Sequence, residues 1–154
     1  MAALYGKNAD EAKAKRFTMN IIEEDDLQAL GKQMKAQRLG VMVMFYASYC
    51  EFCERLEEDL LVPMLRSGEY DGKVLIRKIQ IDSNDELINF NGQTITTGQI
   101  STLYGADMTP TLVFLDANGK EQSERILGYT TPDFFSAYVD QGINELHKTV
   151  KTSE

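Results

Sequence analysis

Apolar and polar positions along the 154 residues fall into two kinds of block. Short continuous apolar runs occupy 41–46 (Val-Met-Val-Met-Phe-Tyr) and 111–116 (Thr-Leu-Val-Phe-Leu-Asp), and a mostly apolar, β-branched run covers 74–82. Runs this short, flanked by Gly, Ser or Asn, predict buried strands rather than helices. Between them apolar residues recur at helical spacing: Leu27, Leu30, Met34 and Leu39, then Phe52, Leu56, Leu60 and Met64, then Phe134, Phe135, Tyr138, Val139, Ile143 and Leu146.

The punctuation agrees with these elements. Glu24-Asp25-Asp26 opens the first helix and Lys32, Lys35 and Arg38 crowd its end, which suits the helix dipole. Gly40 is expected to stop it. A turn over 47–49 leads into a second helix from Glu51 to about Arg66, with Cys53 and Leu61 near its apolar stripe and a kink or early end expected at Pro63. Residues 67–72 read as a loop. Asn91-Gly92 predicts a two-residue hairpin turn within 83–98, read as a small excursion from the main sheet. A short helix over 97–104 is ended by Gly105. Asn118-Gly119 marks a second hairpin, with a returning strand over 122–127 closed by Gly128. Thr131 is the expected N-cap of the last helix, with Pro132 at its first position. The order is β-α-β, an insert, a short helix, then β-β-α. That predicts an α/β fold with a mixed central sheet and helices on both faces. Residues 1–20 form a polar N-terminal extension, with a frayed helix expected through 9–15, and the domain occupies 21–150.

Composition bounds the function. Hydrophobic residues make up 43% and charged residues 26%, a globular balance. The chain is long enough for one domain to bury a core without staples. No apolar run approaches the roughly 20 residues that span a bilayer. The N-terminus lacks the apolar centre of a signal peptide, so the sequence reads as cytosolic or as the mature form of an exported protein. Sixteen basic against 24 acidic residues give a net charge of −8, which argues against a nucleic-acid partner and otherwise suits solubility.

The two cysteines, Cys50 and Cys53, carry the candidate chemistry. So few exclude a multi-disulfide framework and a four-Cys metal site within one chain. Cys50 falls between a buried strand and the start of a helix, where free N–H groups and the dipole stabilise a thiolate. The thiolate is the attacking species in disulfide exchange. Three-residue spacing lets Cys53 reach back to resolve the mixed disulfide. An inert pair, or half of a zinc or iron–sulfur site shared by two chains, are the alternatives; a C-x-x-C placed between strand and helix favours redox. The lone His147 reads as a surface residue rather than a ligand or base.

Phe45-Tyr46-Ala47-Ser48-Tyr49-Cys50-Glu51-Phe52-Cys53 resembles the strand-to-helix active segment of the thioredoxin family. Thr109-Pro110-Thr111 resembles the family's cis-proline loop, Asn118-Gly119 its β-hairpin, and Gly128 the glycine before its last helix. The resemblance runs in order from Leu27 to Ile143. It implies a thioredoxin fold and a thiol–disulfide oxidoreductase that reduces or isomerises protein disulfides, with Cys50 and Cys53 catalytic and no metal or cofactor. It further implies that Tyr49, Glu51, Phe52, Thr109, Pro110 and Gly128 bind substrate, with Pro110 cis and facing the dithiol and the Thr109 backbone pairing with an extended segment. A separate reductase would supply electrons, no membrane span is implied, and a monomer is expected.

The sequence departs from the family at three places. Tyr49 replaces the usual Trp, Glu51-Phe52 the usual Gly-Pro, and Met44 stands where thioredoxin carries a buried Asp six residues before the first Cys. Glu54 and Glu57 are the nearby carboxylates able to serve the resolving thiol through water, although both read first as solvated helix surface. Glu51 places negative charge beside Cys50, which, as long as Glu51 does not swing into solvent, raises the thiol pKa and predicts a reductase or isomerase rather than a strong oxidant. The insert and the longer first helix region resemble the bacterial thioredoxin-related, SoxW-like proteins, many of them exported. That implies a periplasmic or secreted setting, with the cytoplasm as the alternative. Two other functions remain open: a non-catalytic binding module, which the seven methionines would suit, and a metal- or cluster-binding dimer.

Overall fold

The structure, a computed structural model, describes residues 20–152. The polar extension, with the helix expected through 9–15, lies outside the described residues apart from Asn20. The elements are β1 (Ile22–Glu23), α1 (Leu27–Gln37), β2 (Gly40–Tyr46), α2 (Glu51–Leu56, continued through Glu57–Leu61 and Val62–Ser67), β3 (Val74–Gln80), β4 (Glu86–Ile88), β5 (Thr94–Thr96), α3 (Thr97–Leu103), β6 (Thr111–Leu115), β7 (Ile126–Leu127) and α4 (Pro132–Thr152). The main sheet has the order β1-β3-β2-β6-β7 and β4-β5 form a separate hairpin. β2 runs parallel to β3, from Gly40 opposite Val74 to Tyr46 opposite Gln80, and antiparallel to β6, with Phe45 opposite Thr111. The expected mixed sheet, α/β and covered by helices on both faces, is the fold observed.

Alternation along β2 sorts two cores. Met42 and Met44 join Ile76, Leu112 and Phe114 on one face, under α2 and α4. Val41, Val43 and Phe45 join Ile79, Val113 and Leu115 on the other, under Leu27, Leu30 and Met34 of α1 and Ile100 of α3. Both faces are covered, so β2 reads as a continuous apolar run. Each large side chain fully buried this way adds about 1.5–3 kcal/mol.

Several boundaries differ from expectation for identifiable reasons. α1 ends at Gln37, with Arg38 in the left-handed region (φ 57) donating its N–H to the Met34 carbonyl. Gly40 opens β2 instead of stopping the helix. Its requirement is close approach, since a Cβ there would sit 2.5 Å from Leu146. α2 neither ends nor breaks at Pro63. A wide π turn spans Glu57–Leu61, in which the Val62 N–H reaches back five residues to the Glu57 carbonyl. A proline ring clashes with the carbonyl four residues before it, and widening the turn just ahead of Pro63 relieves that clash. The buried stripe therefore steps from Cys53 and Leu56 to Leu61 and Met64, leaving Leu60 half-buried.

Both Asn-Gly sites form three-residue rather than two-residue loops. The Asn89 N–H donates to Gln93 O and Gly92 N–H to Asn89 O; Asp116 N–H donates to Lys120 O and Gly119 N–H to Asp116 O. Gly92 (φ 87) and Gly119 (φ 82) take the left-handed place such loops need. The returning strand shrinks to Ile126–Leu127. Ahead of it Arg125 reaches the carbonyls of Tyr104 (2.6 Å) and Gly105 (3.3 Å), drawing the chain off the ladder. β3 stops at Gln80 and Asp82 turns away toward the loop before α2.

α4 buries Phe135, Val139, Gly142, Ile143 and Leu146. Phe134 and Tyr138, expected in the core, lie about 100° round the helix and stay 64% and 55% exposed. Thr131 takes φ 47, outside the extended conformation of a capping threonine, while Pro132 begins the helix as expected. Among the described residues, no helix is long and apolar enough to cross a membrane.

Candidate active site

Cys50 sits at the N-cap of α2 with extended backbone (φ −98, ψ 100), and its Sγ accepts the Cys53 N–H at 3.2 Å. The sequence folds this way because β2 ends at Tyr46 and the Cys50 N–H turns back onto the Ala47 carbonyl at 3.4 Å. The two cysteines form a disulfide with Cα atoms 5.1 Å apart. Cys50 is partly exposed and Cys53 is 2% exposed. One cysteine thus keeps some contact with solvent and its partner is enclosed.

Register brings the other expected residues to the same end of the sheet. Thr109 and Pro110 immediately precede Thr111, which lies opposite Phe45 near the end of β2. The Thr109–Pro110 bond is cis. Leu127, also opposite Thr111, precedes Gly128, whose N–H donates to the Pro110 carbonyl at 2.7 Å. Tyr49 is 99% exposed and Phe52 56% exposed, with Met108 and Leu127 adding open apolar surface. Leu127 did not stand out in the sequence, where it reads as one more position of the returning strand; Met108, with Met42, Met44 and Met64, is among the methionines that would suit an adaptable apolar surface, and of these four it is the exposed one. Past Gly128, the Tyr129 hydroxyl donates to Asp59 Oδ2 (3.0 Å) and its ring meets Phe135 edge-on at 4.9 Å, tying this segment to α2.

Asp82 was missed as well. Its carboxylate accepts the Ser48 N–H (3.0 Å), the Ser48 hydroxyl (2.5 Å) and the Gln80 amide (2.9 Å), and these bonds hold its pKa below the usual carboxylate range. The one available signal was an Asp directly after a strand.

Charge near the dithiol is arranged differently from expectation. Glu51 points into solvent and pairs with Arg55 at 3.2 Å, so its carboxylate acts on Cys50 less directly than the sequence suggested. Met44 is buried on the α2 side of the sheet, and no carboxylate occupies its place. Glu54 is exposed. Glu57 is not plain helix surface, for its Oε1 lies 2.8 Å from Lys78 Nζ with both side chains about four-fifths buried (21% and 19% exposed). The Tyr46 hydroxyl donates to Glu23, and burial followed by that bond pushes its pKa up. His147 is half-buried rather than on the surface, at the far end of the sheet near Lys73, with Nδ1 buried and lacking a hydrogen-bond partner.

Residues 27–143 match the family described as a thioredoxin-like domain. No curated protein matches the chain. Among solved structures, Fasciola hepatica thioredoxin aligns at 18% identity over 79% of this chain and 98% of that one, with a TM-score of 0.52. Oxidized mitochondrial thioredoxin 3 of Saccharomyces cerevisiae aligns at 18% identity over 78% and 94% (TM-score 0.53). Trichomonas vaginalis thioredoxin aligns at 21% identity over 79% and 96% (TM-score 0.51). What is shared at these identities is the fold. With most of its length matched and a C-x-x-C disulfide at the head of α2, the chain belongs to the thioredoxin-like domain family.

Proposed function

We propose that the protein is a thiol–disulfide oxidoreductase that reduces or isomerises disulfides in other proteins and is recharged by a separate reductase. The single observation that carries this reading is the asymmetric pair, a partly exposed Cys50 joined to an enclosed Cys53 at a helix N-terminus. Cys50 attacks, because the helix start favours its thiolate. Cys53 then displaces the substrate sulfur. Tyr49, Phe52 and the Thr109–Pro110 edge form the surface on which an extended substrate segment lies, with Glu51 at its rim and Gly128 supporting Pro110 from behind.

Reduction or isomerisation is favoured over strong oxidation by local charge. The first turns of α2 carry Glu51 and Glu54 against the single Arg55. With Glu51 turned to solvent and paired with Arg55, that surplus opposes a Cys50 thiolate only weakly, in the direction of a less stabilised reduced form and a more reducing couple. The hairpin insert and the long first helix region support a place beside the exported, SoxW-like bacterial proteins, and with it a periplasmic or secreted setting. The protein acts as a monomer in this reading.

The test is insulin reduction by dithiothreitol. The wild type should accelerate precipitation and Cys50→Ser should not. A Cys53→Ser variant should retain client proteins as mixed disulfides through Cys50. A wild type no faster than dithiothreitol alone defeats the proposal.

A further inference from the structure

The chain between α3 and β6 carries the edge on which the proposed function lays an extended substrate, and the β7 segment ties it down at both ends. At one end the Gly128 N–H holds the Pro110 carbonyl at 2.7 Å. At the other end Arg125 donates from Nη2 to the Tyr104 carbonyl (2.6 Å) and from Nη1 to the Gly105 carbonyl (3.3 Å). These carbonyls lie just past α3, a helix with no basic residue in its last turn. The guanidinium therefore brings to the negative end of that helix the cation its own sequence lacks. Arg125 is itself held. Its Nε donates to Glu121 Oε2 at 3.2 Å and its Nη2 to Glu121 Oε1, and the two side chains are only 25% and 30% exposed.

Between these ties the contacts of the loop are short-range. Ala106 is buried and donates its N–H to the Ser101 carbonyl at 2.8 Å, and the Thr111 hydroxyl holds the Met108 carbonyl at 2.6 Å. Among the described residues, no hydrogen bond engages Thr109. Its N–H and C=O are open to a partner strand, and their placement depends on how the loop is fastened at 104–105 and at 110.

We propose that Arg125 is the positioning residue for polypeptide recognition, its fork fixing the start of the loop and with it the place of the Thr109 backbone at the dithiol end of the sheet. The role rests on the reading of the protein as an oxidoreductase of protein disulfides, and it separates two substrate classes. An extended polypeptide uses the Thr109 backbone and depends on Arg125. A small aromatic disulfide needs the Cys50 thiol and does not. A guanidinium suits the task because its planar fork engages two carbonyls and one carboxylate at once, whereas an ammonium is a point charge. Arg125 acts through the loop and is not a catalytic residue.

The test compares two substrates of the whole protein. Fluorescein-labelled insulin is reduced with dithiothreitol as the electron donor, and 5,5′-dithiobis(2-nitrobenzoate) is mixed with the reduced protein in stopped flow. Arg125→Met keeps the stem and removes the fork. It should raise KM for insulin about tenfold while kcat stays within about twofold of wild type. Release of thionitrobenzoate should keep its wild-type rate. Arg125→Lys should recover part of the loss in KM. An unchanged KM, or equal losses for both substrates, overturns the proposal. Should Arg125→Met fail to fold, Glu121→Ala decides, since the fork then loses the carboxylate that orients it. KM for insulin should rise about threefold, and an unchanged KM overturns the proposal. A wild type that reduces insulin no faster than dithiothreitol alone defeats the reading of the site and this inference with it. An active wild type whose fork can be removed without effect defeats this inference alone.

Discussion

Asp82 holds Ser48 twice, through the Ser48 N–H at 3.0 Å and the Ser48 hydroxyl at 2.5 Å, so the end of β3 sets the position of the loop that delivers Cys50. Both bonds favour the charged carboxylate, and its folded pKa is lowered. A depressed folded value contributes stability that is present above the unfolded value of about 3.9 and is lost as the pH falls through the folded value. Asp82→Asn should therefore lower Tm at neutral pH, with the gap to wild type closing as the pH drops below about 4. A gap that is constant with pH would show that the charge plays no part.

His147 is the sole histidine, which makes its titration unambiguous. Burial, then Lys151 and Lys73, lower its pKa. The unfolded state binds the proton more readily, so stability is full above the unfolded value of about 6.5 and declines as the pH falls toward the folded value. Imidazole proton resonances should titrate with a midpoint below 6.5. His147→Gln should remove the slope of stability against pH in that interval.

Tyr49 and Phe52 lie open beside the dithiol and contribute little to the core. Their replacement by Ala should change unfolding free energy by no more than about 0.5 kcal/mol. On the proposed function, the same changes together should lower kcat/KM for insulin reduction by about tenfold, the size expected of interface aromatics. Comparable losses for small disulfides such as oxidised glutathione would place the effect in the chemistry rather than in polypeptide binding.

Gly142 faces Phe114 across the α4 side of the sheet, and a Cβ at Gly142 would meet the ring at 2.6 Å. Gly142→Ala should destabilise the fold by about 1–3 kcal/mol through overpacking. Urea unfolding measures it. The thiol chemistry should be unaffected, because Gly142 packs on Phe114, opposite Met42 in the body of β2, whereas the dithiol follows the end of β2 at Tyr46.

The sequence made some levels of this molecule legible and concealed others. The strand cores at 41–46 and 111–115 and the dithiol at the head of α2 follow from run length and placement alone, since a strand covered on both faces has no polar position to disguise it. The buried face of α4 was harder. Phe134 and Phe135 are adjacent and equally apolar, and what selects Phe135 is the line it makes with Val139, Ile143 and Leu146, whereas Phe134 lines up with Tyr138, whose ring gave the second face an apolar look of its own. The Thr96–Gln99 capping box that opens α3 was present in the letters but masked by the neighbouring hairpin signal. Residues Glu23, Lys78 and Glu57 are scattered along the chain, and only pairing of β1 with β3 beneath α2 brings them together.

The π turn of α2 gives the helix a spare residue, and Pro63 locks it in. Excising Glu58, which faces solvent, would let the helix close up into a uniform spiral with Cys53 and Met64 still on the sheet side, were it not for the ring downstream. Shortening is therefore conditional: the deletion is tolerated only in a chain that has first exchanged Pro63 for a residue with an N–H. Where this protein's relatives differ in the length of that helix, the loss of one residue and the loss of the proline should be found together.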